Sequence, residues 1–459
     1  MRPQLSAAPG YNREQSAAPQ AAHQGDDLTA TAPRRRRLAA LLTAATLATV
    51  LVGCSGPSVS DTDFPDQVSG TLASDTTDAI TAAVEAAVAQ SGSSGAIVGV
   101  WAPWAGSFTA GVGTTEPGGK TKMDPSMVYR IGDTTRPMTC TVLLELVDEG
   151  KIKLTDQVHK TLPQVQGIEG ITYQQLCQGT SGLGTYTPAL NTQFTTNPTR
   201  NWSMAEILAN GLASGTRTAP GALFGSSDTG YILLGMALEE LTGQSWQSLY
   251  DHYVFSPLGM SKSSFPDAST VELPGSHPKG YLTPRIADGT YQCDAPTDET
   301  ELSPSMVWTA GGVVSSVDDL RKFTQSFASG SLLNDSTFKK QWKDPVSLGE
   351  AEPTWKSFGV GGLQVGPLRG QAGAIPGSLS AAFSDPTSGL TVVVMLNNST
   401  LGAGFAQTLA MQLASIGAKA APASGQKAPE IALPWSGQQM AEQLAASAMV
   451  CAPPVAPAG

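Results

Sequence analysis

The chain has 459 residues, of which 41% are hydrophobic and 14% charged. That balance describes a packed globular protein and excludes a chain too polar to bury a core. A net charge of −11 excludes a nucleic-acid surface, which needs clustered Lys and Arg, and the basic cluster at Arg34 to Arg37 has another use.

Those arginines precede LAALLTAATLATVLVGC, which ends at Cys54. A positive flank, a short apolar run and small residues before a cut site are the parts of an export signal. The run falls short of the roughly 20 residues that a membrane span needs. Its end, Leu51-Val52-Gly53-Cys54, resembles the lipobox of bacterial lipoproteins, which implies a lipid on Cys54 at the mature N-terminus. The competing reading is a short membrane anchor with a chance cysteine. Removal of residues 1–53 takes away six basic and three acidic residues and moves the net charge from −11 to −14. So acidic a chain is held to a membrane by acyl chains, not by charge.

A Ser/Gly/Pro/Asp stretch at 54–75 reads as a tether. DAITAAVEAAVAQ predicts a helix, and AIVGVWA and SFTAGVGTT predict a hairpin across the PWAG turn. Residues 133–149 predict an amphipathic helix with Met138, Val142, Leu143, Leu146 and Val147 on one face and Gly150 as its stop. YILLGMALEELTG predicts a second helix, from Tyr231 to Gly243. FGVGGLQVG, GSLSAAFSD and LTVVVMLNN read as three consecutive strands. Strands at both ends and helices between them predict one α/β sheet completed by both chain ends, with a helical insertion. Residues 419–459 read as a Pro/Ala-rich tail, within which SGQQMAEQLAASAM predicts a short helix capped by Ser436.

Export would let disulfides persist, and Cys140, Cys177, Cys293 and Cys451 allow three full pairings. A buried free thiol is the alternative for Cys140, on the apolar face of its helix. No CxxC or Cys/His spacing is present, so no zinc, other metal or cofactor is expected.

The stretches VYRIGDTTRPMT, LVDEGKIKLTDQV, ITYQQLCQGTSGL, FGSSDTGYILLGMALEELTG, YVFSPLGMSKSSF, WTAGGVVSSVDDLRKF and GQAGAIPGS follow one another in a specific order. In that order they resemble the serine β-lactamase and D-alanyl-D-alanine carboxypeptidase superfamily, nearest its class C and esterase-like branch. The resemblance covers roughly residues 76–415 and implies that 76–418 is one β-lactamase-related domain. Its implied fold is an antiparallel sheet flanked by helices, with a helical subdomain inserted.

Members of that superfamily carry a serine opening a helix and a lysine one turn later that takes the serine's proton. A Tyr-x-Asn segment and a Lys-Thr-Gly or His-x-Gly strand complete the set. Here the first element falls on Asp133 and Arg136. The second falls on Ser226-Ser227-Asp228, and the third on Gln371-Ala372-Gly373, which keeps only the glycine. A carboxylate is a weak nucleophile toward an amide or ester, and its charge opposes an oxyanion beside it. Arginine stays protonated and cannot act as a base. Ser226 lacks a phenol's acidity, and Gln371 does not titrate. STFK at Ser336 matches an active-serine string but falls on a variable surface helix; SHPK at Ser276 and SGQK at Ser424 fit no better.

These positions predict an ion cluster, with Asp133 and Arg136 paired at i, i+3 and Asp228 brought near both by the implied fold. The plainer expectation is solvated polar residues lining a cleft. The function expected is that of an extracytoplasmic, lipid-anchored and catalytically silent member that binds a peptidoglycan peptide or an envelope protein. The alternatives are a hydrolase using non-standard residues and a purely structural envelope protein.

Overall fold

The computed structural model describes residues 59–60, 62, 64–214 and 218–453. The expected signal segment and Cys54 lie outside the described residues. Among the described residues, no helix is long and apolar enough to cross a membrane.

The strands that matter here are β1 (Gly95–Ala102), β2 (Gly106–Gly113), β3 (Val128–Arg130), β4 (Val314–Ser316), β5 (Val346–Ser347), β6 (Lys356–Phe358), β7 (Leu363–Val365), β8 (Leu368–Ile375), β9 (Ser378–Ser384) and β10 (Thr391–Leu396). Eight of them form one sheet in the order β2-β1-β10-β9-β8-β7-β6-β5. Every pairing in it is antiparallel, and the first and last strands of the domain, β1 and β10, lie side by side one strand in from an edge, with Val98 opposite Val394. β3 pairs with β4 as a separate ribbon. The α/β antiparallel architecture expected from the sequence is therefore present, with a mostly helical stretch between the two strands of that ribbon.

The helices that matter here are α1 (Ser74–Ser91), α2 (Arg136–Asp148), α3 (Tyr173–Cys177), α4 (Asp228–Thr242), α5 (Val317–Ser329), α6 (Ala403–Gly417) and α7 (Gly437–Ala446). Ile97 and Trp101 of β1 join a core that also holds Met138 and Val142 of α2 and Leu320 of α5. Val98 and Val100 join a second core with Ile80 of α1, Leu409 of α6 and Met440 of α7. With both sheet faces covered, β1, β9 and β10 are buried at every residue instead of alternating between buried and exposed positions.

Four local departures from the sequence expectation have physical reasons. FGVGGLQVG is not one strand but parts of β6 and β7, and β8 lies between it and the next expected strand. β8 hides because LRGQAGAI carries two glycines and few β-branched residues, so it scores poorly as a strand. Helix α2 is buried all round from Arg136 to Leu146 rather than amphipathic, being enclosed by other helices as well as the sheet. Finally, residues 419–453 do not hang free. Trp435, Met440 and Leu444 are buried, Trp435 Nε1 donates to the Met411 carbonyl at 2.9 Å, and Cys451 is bonded to Cys293. The helix expected there is α7, with Ser436 and Gln439 forming a reciprocal cap. The other disulfide joins Cys140 to Cys177, so the buried-free-thiol alternative does not hold for Cys140.

Candidate functional site

β3 delivers the chain through Ile131 into a 3₁₀ turn, Gly132–Thr135, that runs directly into α2. The turn rests against β8, and glycine is needed on both sides of that contact. Gly132 has φ of 51°, and a Cβ there would stand 2.6 Å from the Ala374 carbonyl. A Cβ on Gly373 would stand 2.5 Å from the Thr134 nitrogen. Pro137 falls in the first turn of α2, where its missing N–H costs nothing.

The hydroxyls beside Asp133 are engaged elsewhere. Thr134 Oγ1 lies 2.7 Å from Ser380 Oγ, which in turn donates to the Ile131 carbonyl. Thr135 Oγ1 accepts from the Val313 N–H at 3.1 Å. Both threonines are buried.

Arg136 is 5% exposed and its guanidinium meets both carboxylates. One nitrogen lies 3.0 Å from Asp133 and also pairs with Asp228. Another donates to Ser226 Oγ at 2.8 Å, and the group lies over the Tyr231 ring, 5.0 Å from its centroid. Asp228 occupies the first turn of α4, which begins three residues before Tyr231 because Ser227 caps it, accepting from the Gly230 N–H. The Asp228 carboxylate also accepts from Thr185 Oγ1 at 2.9 Å and from the Thr187 hydroxyl. Sequence reasoning missed these two threonines, which approach from a different part of the chain and carry no motif of their own.

Asp133, Arg136, Ser226 and Asp228 thus form one connected group. Gly373 touches the backbone of Asp133 and Thr134. Gln371 is buried on the same strand, and its Oε1 has no partner among the described residues. Among the described residues no group of three or more His, Cys, Asp or Glu side chains gathers to hold a metal. Ser336 is exposed on the surface helix Asp335–Lys343, where it bonds to Asn334 at 2.8 Å.

Electrostatics follow from this packing. Burial pushes the Asp133 carboxyl up to about 7, opposed by Arg136, reinforced by Asp228 and opposed again by a bond from the Ala374 backbone. For Arg136, burial acts downward, but Asp133 and Asp228 outweigh it and raise the pKa, so the guanidinium stays charged. Burial raises the Tyr231 phenol to about 12, so it too holds its proton. Neither Arg136 nor Tyr231 can therefore take a proton from a neighbouring hydroxyl.

A raised carboxyl costs stability as it ionises. Folding should therefore weaken as pH rises from about 4 to 7 and level off above. Asp133→Asn is expected to remove its share of that slope. Glu145 and Glu299, lifted by burial to about 8 and about 7, slope the same way, so the difference between parent and variant isolates Asp133. Denaturant midpoints measured across this range would run parallel for the two proteins if Asp133 did not titrate there.

The description "Beta-lactamase" belongs to the family whose model matches residues 80–415. The putative penicillin-binding protein PbpX of Bacillus subtilis (strain 168) is 23% identical over 278 residues, which are 60% of this chain and 63% of that protein. The chain thus spans under two thirds of that relative's length. A D-stereospecific amidohydrolase from Streptomyces sp. superposes with a TM-score of 0.62 at 27% identity, over 70% of this chain and 94% of that one. A penicillin-binding protein from Bacillus halodurans shares the fold, with a TM-score of 0.59 at 21% identity over 71% of this chain and 96% of that one. With a match across most of its length and the matching antiparallel sheet, this chain belongs to the beta-lactamase family.

Proposed function

We propose that this is a catalytically silent member of the family, carried on the outer face of the membrane by a lipid on Cys54, whose former reaction slot binds a cell-envelope ligand without cleaving it. The observation that carries the reading is the clamp on Arg136. The position where a base should sit beside a nucleophile holds a guanidinium fixed by Asp133, Asp228 and Ser226, and it cannot accept a proton. Relatives named as a penicillin-binding protein and a D-stereospecific amidohydrolase support a peptide-like ligand.

One observation favours a hydrolase. A carboxyl poised near neutrality, such as Asp133, is able to exchange a proton. The test is turnover of nitrocefin, together with labelling by a fluorescent β-lactam and a fluorophosphonate, on the purified full-length chain. No turnover above buffer and no covalent label are expected. Asp133→Ser with Arg136→Lys is expected to remain inactive, because Ser226 and Gln371 stay in place of a phenol and a titratable donor. Peptidoglycan fragments should bind the parent and lose binding to Ser226→Trp, which fills the slot from an exposed position. Turnover by the parent, abolished by Asp133→Asn, would establish the hydrolase instead.

A further inference from the structure

Beside β3 is a small cavity of about 20 Å³. Tyr129, Arg130, Lys279, Glu299, Thr300 and Ser378 contribute to its lining. Two of these side chains are buried with unanswered polar atoms. Glu299 is 1% exposed, and neither carboxylate oxygen has a partner among the described residues; Tyr129 is 1% exposed, and its hydroxyl has none among them. Buried polar groups are almost always bonded, and a buried carboxylate without a counter-charge is among the most costly exceptions.

The protein's own cations do not fill the gap. Arg130 gives its guanidinium to the carbonyls of Thr300, Val271 and Leu302. The Lys279 ammonium sits on Glu116 at 2.7 Å and reaches Asp298 at 4.0 Å. The space is just large enough for one water-sized body. We infer that this cavity is a site for a single sodium-sized monovalent cation, held by the Glu299 carboxylate and the Tyr129 hydroxyl.

The chemistry selects that class of ion. Carboxylate and phenol oxygens are hard donors that suit an alkali cation and not a soft metal. One carboxylate balances one positive charge, whereas calcium gathers six to eight oxygens from several acidic groups. The proton is the competitor for the same carboxylate oxygens. Charged neighbours facing Glu299 are Asp298, Lys279 and Arg130, with Tyr129 as the titratable hydroxyl. Cation binding is therefore strong only where Glu299 is ionised and fades as the proton takes its place. The site also bears on the slot. Tyr129 and Arg130 lead straight into the Gly132–Thr135 turn, and Ser378 Oγ donates to the Arg130 carbonyl at 2.8 Å. A bound ion braces the strand that leads into the turn holding Asp133.

The experiment uses the full-length chain in sodium chloride or choline chloride at equal ionic strength, choline being too large to enter. Near pH 8 the melting temperature should rise by about 2 °C in sodium relative to choline, and rise further with sodium concentration. Near pH 5 the difference should vanish. Glu299→Gln is nearly isosteric and removes the buried charge, so it should fold at least as well and lose the sodium effect. Broadening of the sodium NMR line by the parent, absent with Glu299→Gln, is the second readout. Equal melting temperatures in the two salts at pH 8, or a sodium effect that survives Glu299→Gln, would overturn the inference and leave a water or a proton in the cavity.

Discussion

Arg136→Met is expected to destabilise the folded chain by about 3–5 kcal/mol, the cost of leaving buried carboxylates without their shared cation. Arg136 is the hub: it contacts Asp133, Asp228 and Ser226 and lies on the Tyr231 face. The Arg136 side chain is 7% exposed, while those of Asp133 and Asp228 are 27% and 19% exposed. Water can therefore relieve the two acids in part, which places the expected loss toward the lower end of that range. Arg136→Lys should cost less than methionine, since it keeps the charge, but more than nothing, because one ammonium cannot hold two carboxylates and a hydroxyl in a planar fork. Adding Asp133→Asn and Asp228→Asn to Arg136→Met should recover most of the loss, because removing all the charges differs from removing one partner. Urea unfolding midpoints of these four proteins provide the check. If Arg136→Met unfolds with the parent, the cluster is a solvated surface and the proposed silent slot loses its physical basis.

Much of this arrangement is legible in the sequence, and the illegible parts share a cause. β1 and the late strand β10 announce themselves because each is buried on both faces, leaving unbroken runs such as AIVGVWA and LTVVVML. Asp133 and Arg136 are visible because their spacing is local, and the turn that carries them is flanked by recognisable stretches. β8 is not visible in composition: its Gly370 and Gly373 are set by close approach to neighbouring backbone, a constraint that no periodicity reports. The start of α4 is misplaced by three residues because apolar periodicity begins at Tyr231, whereas the helix begins at the cap, Ser227. Thr185 and Thr187 escape because their bonds to Asp228 span more than 40 residues of chain. The C-terminal segment misleads in the opposite sense. Its Pro/Ala composition reads as loose, yet three apolar side chains, Trp435, Met440 and Leu444, are enough to seat it.

The two disulfides should behave very differently, and the second large effect follows from where each one sits. Cys140–Cys177 ties α2 to the end of α3 across a sequence separation of 37, with both cysteines fully buried. Cys140→Ala with Cys177→Ala is expected to cost about 4 kcal/mol, from the loop entropy returned to the unfolded chain. That loss should appear in global unfolding, because α2 passes through the centre of one core and carries Arg136 at its start. Cys293–Cys451 closes a longer separation of 158, so loop entropy alone would rank it higher. It lies at the edge of the fold, however: Cys451 is exposed, and the segment before it is already seated by α7 and Trp435. Its removal should therefore fray residues after α7 before it unfolds the domain. Access gives a sharper test than stability. A thiol reductant acting on the native chain should open Cys293–Cys451 first, since attack requires a reachable sulfur, while Cys140–Cys177 should survive until the protein unfolds. Alkylation of the freed thiols at successive times, mapped by mass spectrometry, reads out that order. Simultaneous release of all four cysteines under native conditions would mean that α2 is not enclosed, contradicting the buried core on which the rigid Arg136 clamp depends.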